Sequence, residues 1–254
     1  MSAKLNHEIQ EYCSLLKLNQ IAEHFEEEGS QATDHICFLH TLLRMEVEAE
    51  EQRAIDRKIR SAKFPYRKYI EDLEINCLPK GLQKRLPDLC SLDFIREGKN
   101  IIMTGNPGTG KTHTAIGLGI KACEQGYRVL YTTIPYLVTE LRESNNKQKL
   151  RTYQKRFEKY DLVIADELGY ISFDREAADL LFSVLSLRAS RKSTIITSNL
   201  TFERWDEIFG DAAITSAIVD RLTYKAFLID MEGDSYRLRE TLRENGGTFE
   251  TVIK

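Results

Sequence analysis

Two hydrophobic periods divide the chain. Up to about residue 60, apolar residues recur at helical spacing: Leu15, Leu16, Leu18, Ile21, Ala22 and Phe25, then Ile36, Leu39, Leu42 and Leu43. This stretch holds no proline and a single glycine, and Gly29-Ser30 reads as a helix stop followed by an N-cap. Residues from about 31 to 61 then read as one long, charged, mostly solvated helix whose basic last turns suit the negative end of the helix dipole. Lys63, Phe64 and Pro65 break the pattern, and residues 66–98 read as short helices with turns at Pro79–Gly81 and Pro87-Asp88. From Lys99 the period changes. Short β-rich runs, NIIMTG (100–105), RVLYTT (128–133), DLVIAD (161–166), STIITS (193–198) and KAFLID (225–230), alternate with helical stretches near 111–125, 135–158, 174–190 and 201–223. Nearly continuous apolar strands alternating with helices predict a parallel sheet covered on both faces. The expected organisation is an all-α N-terminal domain (1–62), a helical connector (63–98) and an α/β core (99–254).

Composition narrows the class. The chain has 254 residues, 42% hydrophobic and 30% charged, enough to bury a core without disulfides. No run approaches 18 apolar residues, so no membrane partner is expected. The opening MSAKLNHEIQ lacks a basic region followed by an apolar one, and the five cysteines show no CxxC spacing; both suit a reducing, cytoplasmic location. His35, Cys37 and His40 are zinc-like residue types, but no second ligand pair follows, and they read as helix positions beside Ile36, Phe38 and Leu39. The formal net charge of −3 argues at first against nucleic acid, although a total hides local patches.

The strongest local signal is Gly105, Asn106, Pro107, Gly108, Thr109, Gly110, Lys111 and Thr112, with His113 next in line. It matches G-x-x-x-x-G-K-[ST] between a β run and a helical run. The glycines let backbone N–H groups turn inward around phosphates, and the helix N-terminus adds positive potential. Lys111 is expected to reach the β and γ phosphates of ATP, and the Thr112 hydroxyl to ligate Mg2+. The run Leu162 to Ala165 ends in Asp166 and Glu167. Asp166 is placed to hold magnesium and Glu167 to polarise an attacking water, the pair expected of NTP hydrolases that drive motion. A GTPase would show an Asn-Lys-x-Asp motif, which is absent, and a small-molecule phosphotransferase would need an acceptor pocket that nothing here supplies. Asn199, after the polar end of STIITS, reads either as a ligand of the attacking water or γ-phosphate or as an N-cap. Arg221 reads either as a surface cation at a helix C-terminus or as an arginine finger given to a neighbour.

The set GNPGTGKTHTA, DLVIADELGY, IITSNLTFERWDEIFGD, IVDRL and GDSYRLR resembles the IstB family of transposition-helper ATPases, within the DnaC-like helicase-loader branch of AAA+ proteins. The resemblance covers almost the whole chain. It implies a P-loop NTPase (AAA+/ASCE) core with a five-stranded parallel sheet in the order 5-1-4-3-2. It makes Gly105, Gly110, Lys111 and Thr112 the phosphate loop, Asp166 and Glu167 the magnesium and water-activating pair, Asn199 the sensor, and Arg221 the finger. Only about two dozen residues follow the fifth strand, so no full C-terminal lid is expected, and Arg237 and Arg239 carry no assigned role. The family also implies ATP hydrolysis by a homo-oligomer with sites at subunit interfaces, on duplex DNA, beside a DDE-type transposase. A replicative helicase loader would share the mechanism and differ in partner.

Local charge offers places for DNA. Lys147, Lys149, Arg151, Lys155, Arg156 and Lys159 lie among thirteen residues with one acid, and Arg188, Arg191 and Lys192 form a shorter cluster. Arg53 to Lys68 is a third basic zone. Backbone contacts by such residues make affinity fall with salt and carry little sequence information. The near-neutral total is a cancellation of these stretches against acids elsewhere.

Overall fold

A computed structural model describes residues 2–144, 147–189 and 191–244; the side chains of Ser2, Lys147 and Glu244 lie outside that description. The chain falls into two compact units, residues 1–57 and 58–254.

The first unit is helical: α1 (Ser2–Leu16), α2 (Asn19–Gln31) and most of α3 (His35–Ser61). Gly29 does not stop a helix; α2 runs through it to Gln31, and the Asp34 carboxylate accepts the Cys37 N–H at 3.1 Å to start α3. Cys13, Phe25 and Leu42 are buried with Glu46, whose carboxylate accepts the Gln20 N–H at 2.7 Å and the Ile21 N–H at 3.3 Å. Glu46 thereby satisfies the first turn of α2, which has no side-chain cap of its own. Arg53 holds Glu46 at 2.6 Å and Glu50 at 3.0 Å, and Arg57 holds Glu50 at 2.7 Å. Part of the N-terminal basic zone is thus engaged by acids of its own helix. Leu15, Leu16, Ile36, Leu39 and Leu43, which the helical period suggests as core, are exposed.

The second unit opens with two 3-10 turns at Ile70–Asp72 and Ile75–Cys77, followed by α4 (Lys80–Cys90) and α5 (Asp93–Arg96). Pro87 lies inside α4 and makes no turn there. The core then alternates β1 (Ile101–Thr104), α6 (Lys111–Glu124), β2 (Val129–Thr133), α7 (Ile134–Glu143), α8 (Lys147–Glu158), β3 (Leu162–Leu168), α9 (Arg175–Arg188), β4 (Ser193–Ser198), α10 (Asp206–Phe209), α11 (Ala212–Thr223), β5 (Phe227–Asp230) and α12 (Tyr236–Glu244). The helical stretch expected over 135–158 is two helices. That expected over 201–223 is a 3-10 turn, α10 and α11, because Gly210 turns left-handed at φ 63° and the Asp211 carboxylate caps α11 through the Ala213 and Ile214 N–H groups.

All five strands are parallel, in the order β2-β3-β4-β1-β5, which is the order 5-1-4-3-2 implied by the resemblance. Alternate strand residues face opposite sides. Ile102, Leu130, Val163, Ala165 and Ile196 join one buried cluster with α7, α9, α10 and α11. Ile101, Met103, Ile164 and Ile195 are fully buried as well. Burial on both faces explains why these strands read as unbroken apolar runs. Among the described residues no helix is long and apolar enough to cross a membrane.

Candidate nucleotide-binding and active site

The strand–loop–helix unit at 101–124 forms the phosphate loop. β1 ends at Thr104, the loop turns through Gly105 and Gly108 at φ 143° and 81°, and α6 starts at Lys111. Those two glycines are required. A Cβ on Gly105 would meet the Met231 carbonyl carbon at 2.4 Å, and one on Gly108 would meet Ser235 Oγ at 2.1 Å. The segment after β5 therefore lies directly on the loop, with the Met231 N–H donating to Thr104 O at 2.7 Å and the Tyr236 N–H to Gly108 O at 2.9 Å. Lys111 Nζ donates to the Gly105 and Asn106 carbonyls at 2.6 Å each, and Thr109 Oγ1 donates to Asn106 O at 2.9 Å. Burial, joined by nearby Arg237, pushes the Lys111 ammonium down to about 8 against the pull of Asp166. His113 Nε2 lies 2.8 Å from the Tyr69 carbonyl.

β3 carries the two carboxylates. Asp166 is buried and accepts three hydroxyls: Thr112 Oγ1 on Oδ1 at 3.1 Å, Thr197 Oγ1 also on Oδ1, and Tyr131 on Oδ2 at 2.7 Å. Thr112 and Asp166 are hard oxygen donors side by side at the loop, few in number, and they fit magnesium, which keeps several of its waters. Glu167, next along, is exposed and has φ 68°, and the β3–β4 register shifts between Ala165 and Leu168. The irregularity turns the Glu167 side chain out of the strand alternation. Its N–H is fixed by Thr197 Oγ1 at 3.1 Å. Partial burial, then the charge of Asp166, holds the Glu167 carboxyl above the usual range, with Arg237 opposing.

A cavity of about 580 Å³ opens over the loop. Its walls are Pro107 to His113, the connector residues Tyr66, Lys68, Leu73, Glu74, Cys77 and Leu78, and Tyr170, Tyr236, Arg237 and Glu240. A more open hollow of about 650 Å³ between α8 and α9, lined by Leu150, Gln154, Arg175, Asp179 and Leu180, contains none of the phosphate-loop residues.

Lys111 and Thr112 line the cleft over the loop, Thr112 bonds Asp166, and Glu167 follows Asp166 on β3. Asn199 follows the end of β4 and is not among the residues that line the cleft. Thr201, not Asn199, occupies the N-cap position of the turn at Phe202–Arg204. Asn199 Oδ1 is the one buried side-chain acceptor without a partner among the described residues, and a Cβ on Gly169 would meet it at 2.5 Å. Arg221 is exposed near the end of α11, its guanidinium carbon 4.6 Å from the Phe182 ring centroid, and does not line the cleft of its own chain. Tyr170 is 57% exposed beside the cleft.

Of the basic residues, Lys149, Arg151, Lys155, Arg156 and Lys159 are exposed on or beside α8, Arg191 is exposed, and the Lys147 side chain lies outside the described residues. Arg188 does not belong with them. It is 1% exposed, and its guanidinium donates to the carbonyls of Phe157, Tyr160, Asp161 and Ser193 and to Thr194 Oγ1. A cation so enclosed has no access to DNA. Lys192 is partly withdrawn too, pairing with Asp161 at 2.6 Å.

Sequence reasoning missed Tyr131, which sits in an apolar strand run and reads as packing, and the connector wall at 66–78, which carries no motif; Thr197, read beside Asn199 as a partner of the attacking water or γ-phosphate, instead bonds Asp166. The GDSYRLR run was the available signal for Tyr236 and Arg237.

Comparison with known proteins places this geometry. The model for the IstB-like ATP binding protein family matches residues 12–244. An insertion sequence IS5376 ATP-binding protein of Geobacillus stearothermophilus is 36% identical over 240 residues, 93% of this chain and 96% of its own length. That of insertion sequence IS21 in Pseudomonas aeruginosa is 34% identical over 238 residues, 92% of this chain and 90% of its own. Among solved structures, DnaI is similar in fold, with a TM-score of 0.54 at 21% identity over 66% of this chain and 90% of that one.

Proposed function

The chain belongs to the IstB-like ATP binding protein family, and from that premise we propose that it is a DNA-dependent AAA+ ATPase that assists a DDE-type transposase, hydrolysing ATP as an oligomer on duplex DNA. One observation carries the catalytic half of this reading: the phosphate loop that holds Lys111 is joined through Thr112 to Asp166, and the next residue, Glu167, is turned outward and exposed.

The loop N–H groups and the α6 N-terminus bind the phosphates of ATP. Lys111 leaves the Gly105 and Asn106 carbonyls for the β and γ oxygens. Thr112 and Asp166 hold Mg2+, which when bound neutralises charge between the phosphates. Glu167 orients the attacking water and takes its proton; a carboxyl held above its usual range is the better base for that transfer. Asn199 Oδ1, buried and without a partner among the described residues, fixes that water. Arg221, exposed on α11 and absent from the walls of its own cleft, serves the γ-phosphate of a neighbour. The exposed face of α8 meets the DNA backbone.

The names of the insertion-sequence relatives support the transposase as partner, and ATPase assays test it. Turnover is expected to rise with duplex DNA, with transposase, or with both; a rate indifferent to either removes the partner half of the reading. Arg221→Ala and Lys111→Ala, each inactive alone, are expected to regain part of the activity when mixed, because mixed interfaces combine an intact loop with an intact finger. Absence of such rescue, with assembly retained, removes the finger.

A further inference from the structure

Asp166 is held by more than the reading above uses. β2 and β3 pair with Tyr131 opposite Ile164, so Asp166 lies two residues further along on the same face. A long side chain reaches that diagonal neighbour, and the Tyr131 hydroxyl donates to Asp166 Oδ2 at 2.7 Å. Among the described residues no other donor reaches Oδ2, while Thr112 and Thr197 share Oδ1. Tyr131 is itself fixed. Its N–H donates to the Ala62 carbonyl at 2.8 Å, and its ring lies 6.3 Å from that of Phe64.

Resting on the assignment of Asp166 to magnesium, we infer that Tyr131 is a positioning residue for magnesium–ATP: its hydroxyl clamps Oδ2 and leaves Oδ1 facing Thr112 and the phosphate loop. Without that bond Thr112 and Thr197 still hold Oδ1, but Oδ2 is no longer fixed and a buried oxygen loses its donor. The packing in this strand needs only the ring, which phenylalanine would supply; the hydroxyl serves the carboxylate.

The test is binding of a fluorescent ATP analogue to Tyr131→Phe, Asp166→Asn, the double variant and the wild-type chain, in EDTA and across a magnesium titration. Unfolding of each variant without nucleotide is followed alongside. Outer hydrogen bonds to metal ligands typically control affinity by about tenfold or more. Tyr131→Phe is therefore expected to raise the magnesium concentration for half-saturation about tenfold while leaving affinity in EDTA unchanged, and to add nothing further in the Asp166→Asn background. An unchanged magnesium midpoint in Tyr131→Phe, with Asp166→Asn still shifting it, overturns the inference and leaves the Asp166 assignment standing. A fall of equal size in EDTA also overturns it, since Tyr131 would then only pack. If Asp166→Asn itself leaves the midpoint where the wild type has it, the Asp166 assignment fails and the inference falls with it.

Discussion

Two basic segments of the core look alike in the sequence and are opposites in the structure. The α8 run turns Arg151, Lys155, Arg156 and Lys159 to the surface. The cluster that begins at Arg188 turns its first member inward, 5.3 Å from the Phe157 ring centroid, where it gathers the carbonyls of Phe157, Tyr160 and Asp161 with that of Ser193. Those first three carbonyls belong to the end of α8 and the turn beyond it, where a cation is favoured. Arg188 thus ties the end of α8 to the start of β4, and the buried cation holds in place the helix that displays the exposed ones. Burial pushes the guanidinium down to about 10, still charged at neutral pH, so its hydrogen bonds stay charge-assisted.

The largest expected effect tests the inward member. Arg188→Met removes a charged donor from four carbonyls, and each buried acceptor left unsatisfied costs about 1–3 kcal/mol. Denaturant unfolding measures it. A loss below about 1 kcal/mol would mean that water replaces the guanidinium and that the contrast with α8 is only one of accessibility. Arg188→Lys is expected to recover only part, because a point charge cannot span carbonyls arranged for a planar fork.

The outward members should behave in reverse. Arg151→Gln, Lys155→Gln and Lys159→Gln together are expected to leave unfolding within about 0.5 kcal/mol of wild type. Duplex affinity in the presence of ATP should fall, and the slope of log K against log salt should shrink by about 0.9 for each DNA phosphate no longer neutralised. An unchanged slope places the DNA path elsewhere on the molecule.

The contrast shows what the sequence made legible. The strands, the phosphate loop and the Asp166–Glu167 pair are readable because each depends on a local pattern: an apolar run, glycines at fixed spacing, acids at a strand end; the strand order rests on the family resemblance. Arg188 was misread because burial is decided by elements far apart in the chain, here the end of α8 and the start of β4. The Tyr131 and Thr197 bonds to Asp166 are invisible in the sequence for the same reason, as they form only once β2, β3 and β4 lie side by side. The N-terminal helices were readable as helices, yet their period overstated the core: Leu42 and Phe25 are buried while Leu39 and Leu43 are exposed. Periodicity reports a face, and what covers that face lies outside the pattern.

Lys111 stands between the two extremes, a partly buried cation in an open cleft, and its charge is the adjustable one. With its ammonium pushed down to about 8, a rise in pH through that value discharges the lysine in the nucleotide-free protein. Nucleotide binding favours the charged form, so affinity is full below that pH and weakens above it, by about tenfold for the first whole unit. ATP itself is fully ionised over the same range. Titration of a fluorescent ATP analogue from pH 7 to 9 checks this; a flat profile means that the ammonium is better stabilised than its surroundings imply. For the free protein the sign is opposite. The folded chain binds fewer protons than the unfolded one between about 8 and the ordinary lysine value of 10.5, so the contribution of Lys111 to stability rises with pH across that window.

The smallest expected effect belongs to Lys192, the neighbour that decides whether the inward cluster ends at Arg188. Its ammonium meets Asp161 Oδ1 at 2.6 Å, while Oδ2 accepts the Arg128 N–H at 2.9 Å. Burial pushes the Asp161 carboxyl up, but the Lys192 and Arg128 hydrogen bonds outweigh it and hold the group below its usual range. A depressed carboxyl stabilises the fold above its unfolded value, and that stability is lost as pH falls through the folded one. The lysine side chain is 39% exposed and the aspartate 22%, so water screens the pair, and Lys192→Ala is expected to cost about 0.2–1 kcal/mol at neutral pH. The difference between wild type and variant should narrow below about pH 3, where Asp161 is protonated in both. A cost approaching that of Arg188→Met would make the two residues one buried network. A cost that persists undiminished in acid would assign it to the packing of the lysine stem, with the ion pair contributing nothing.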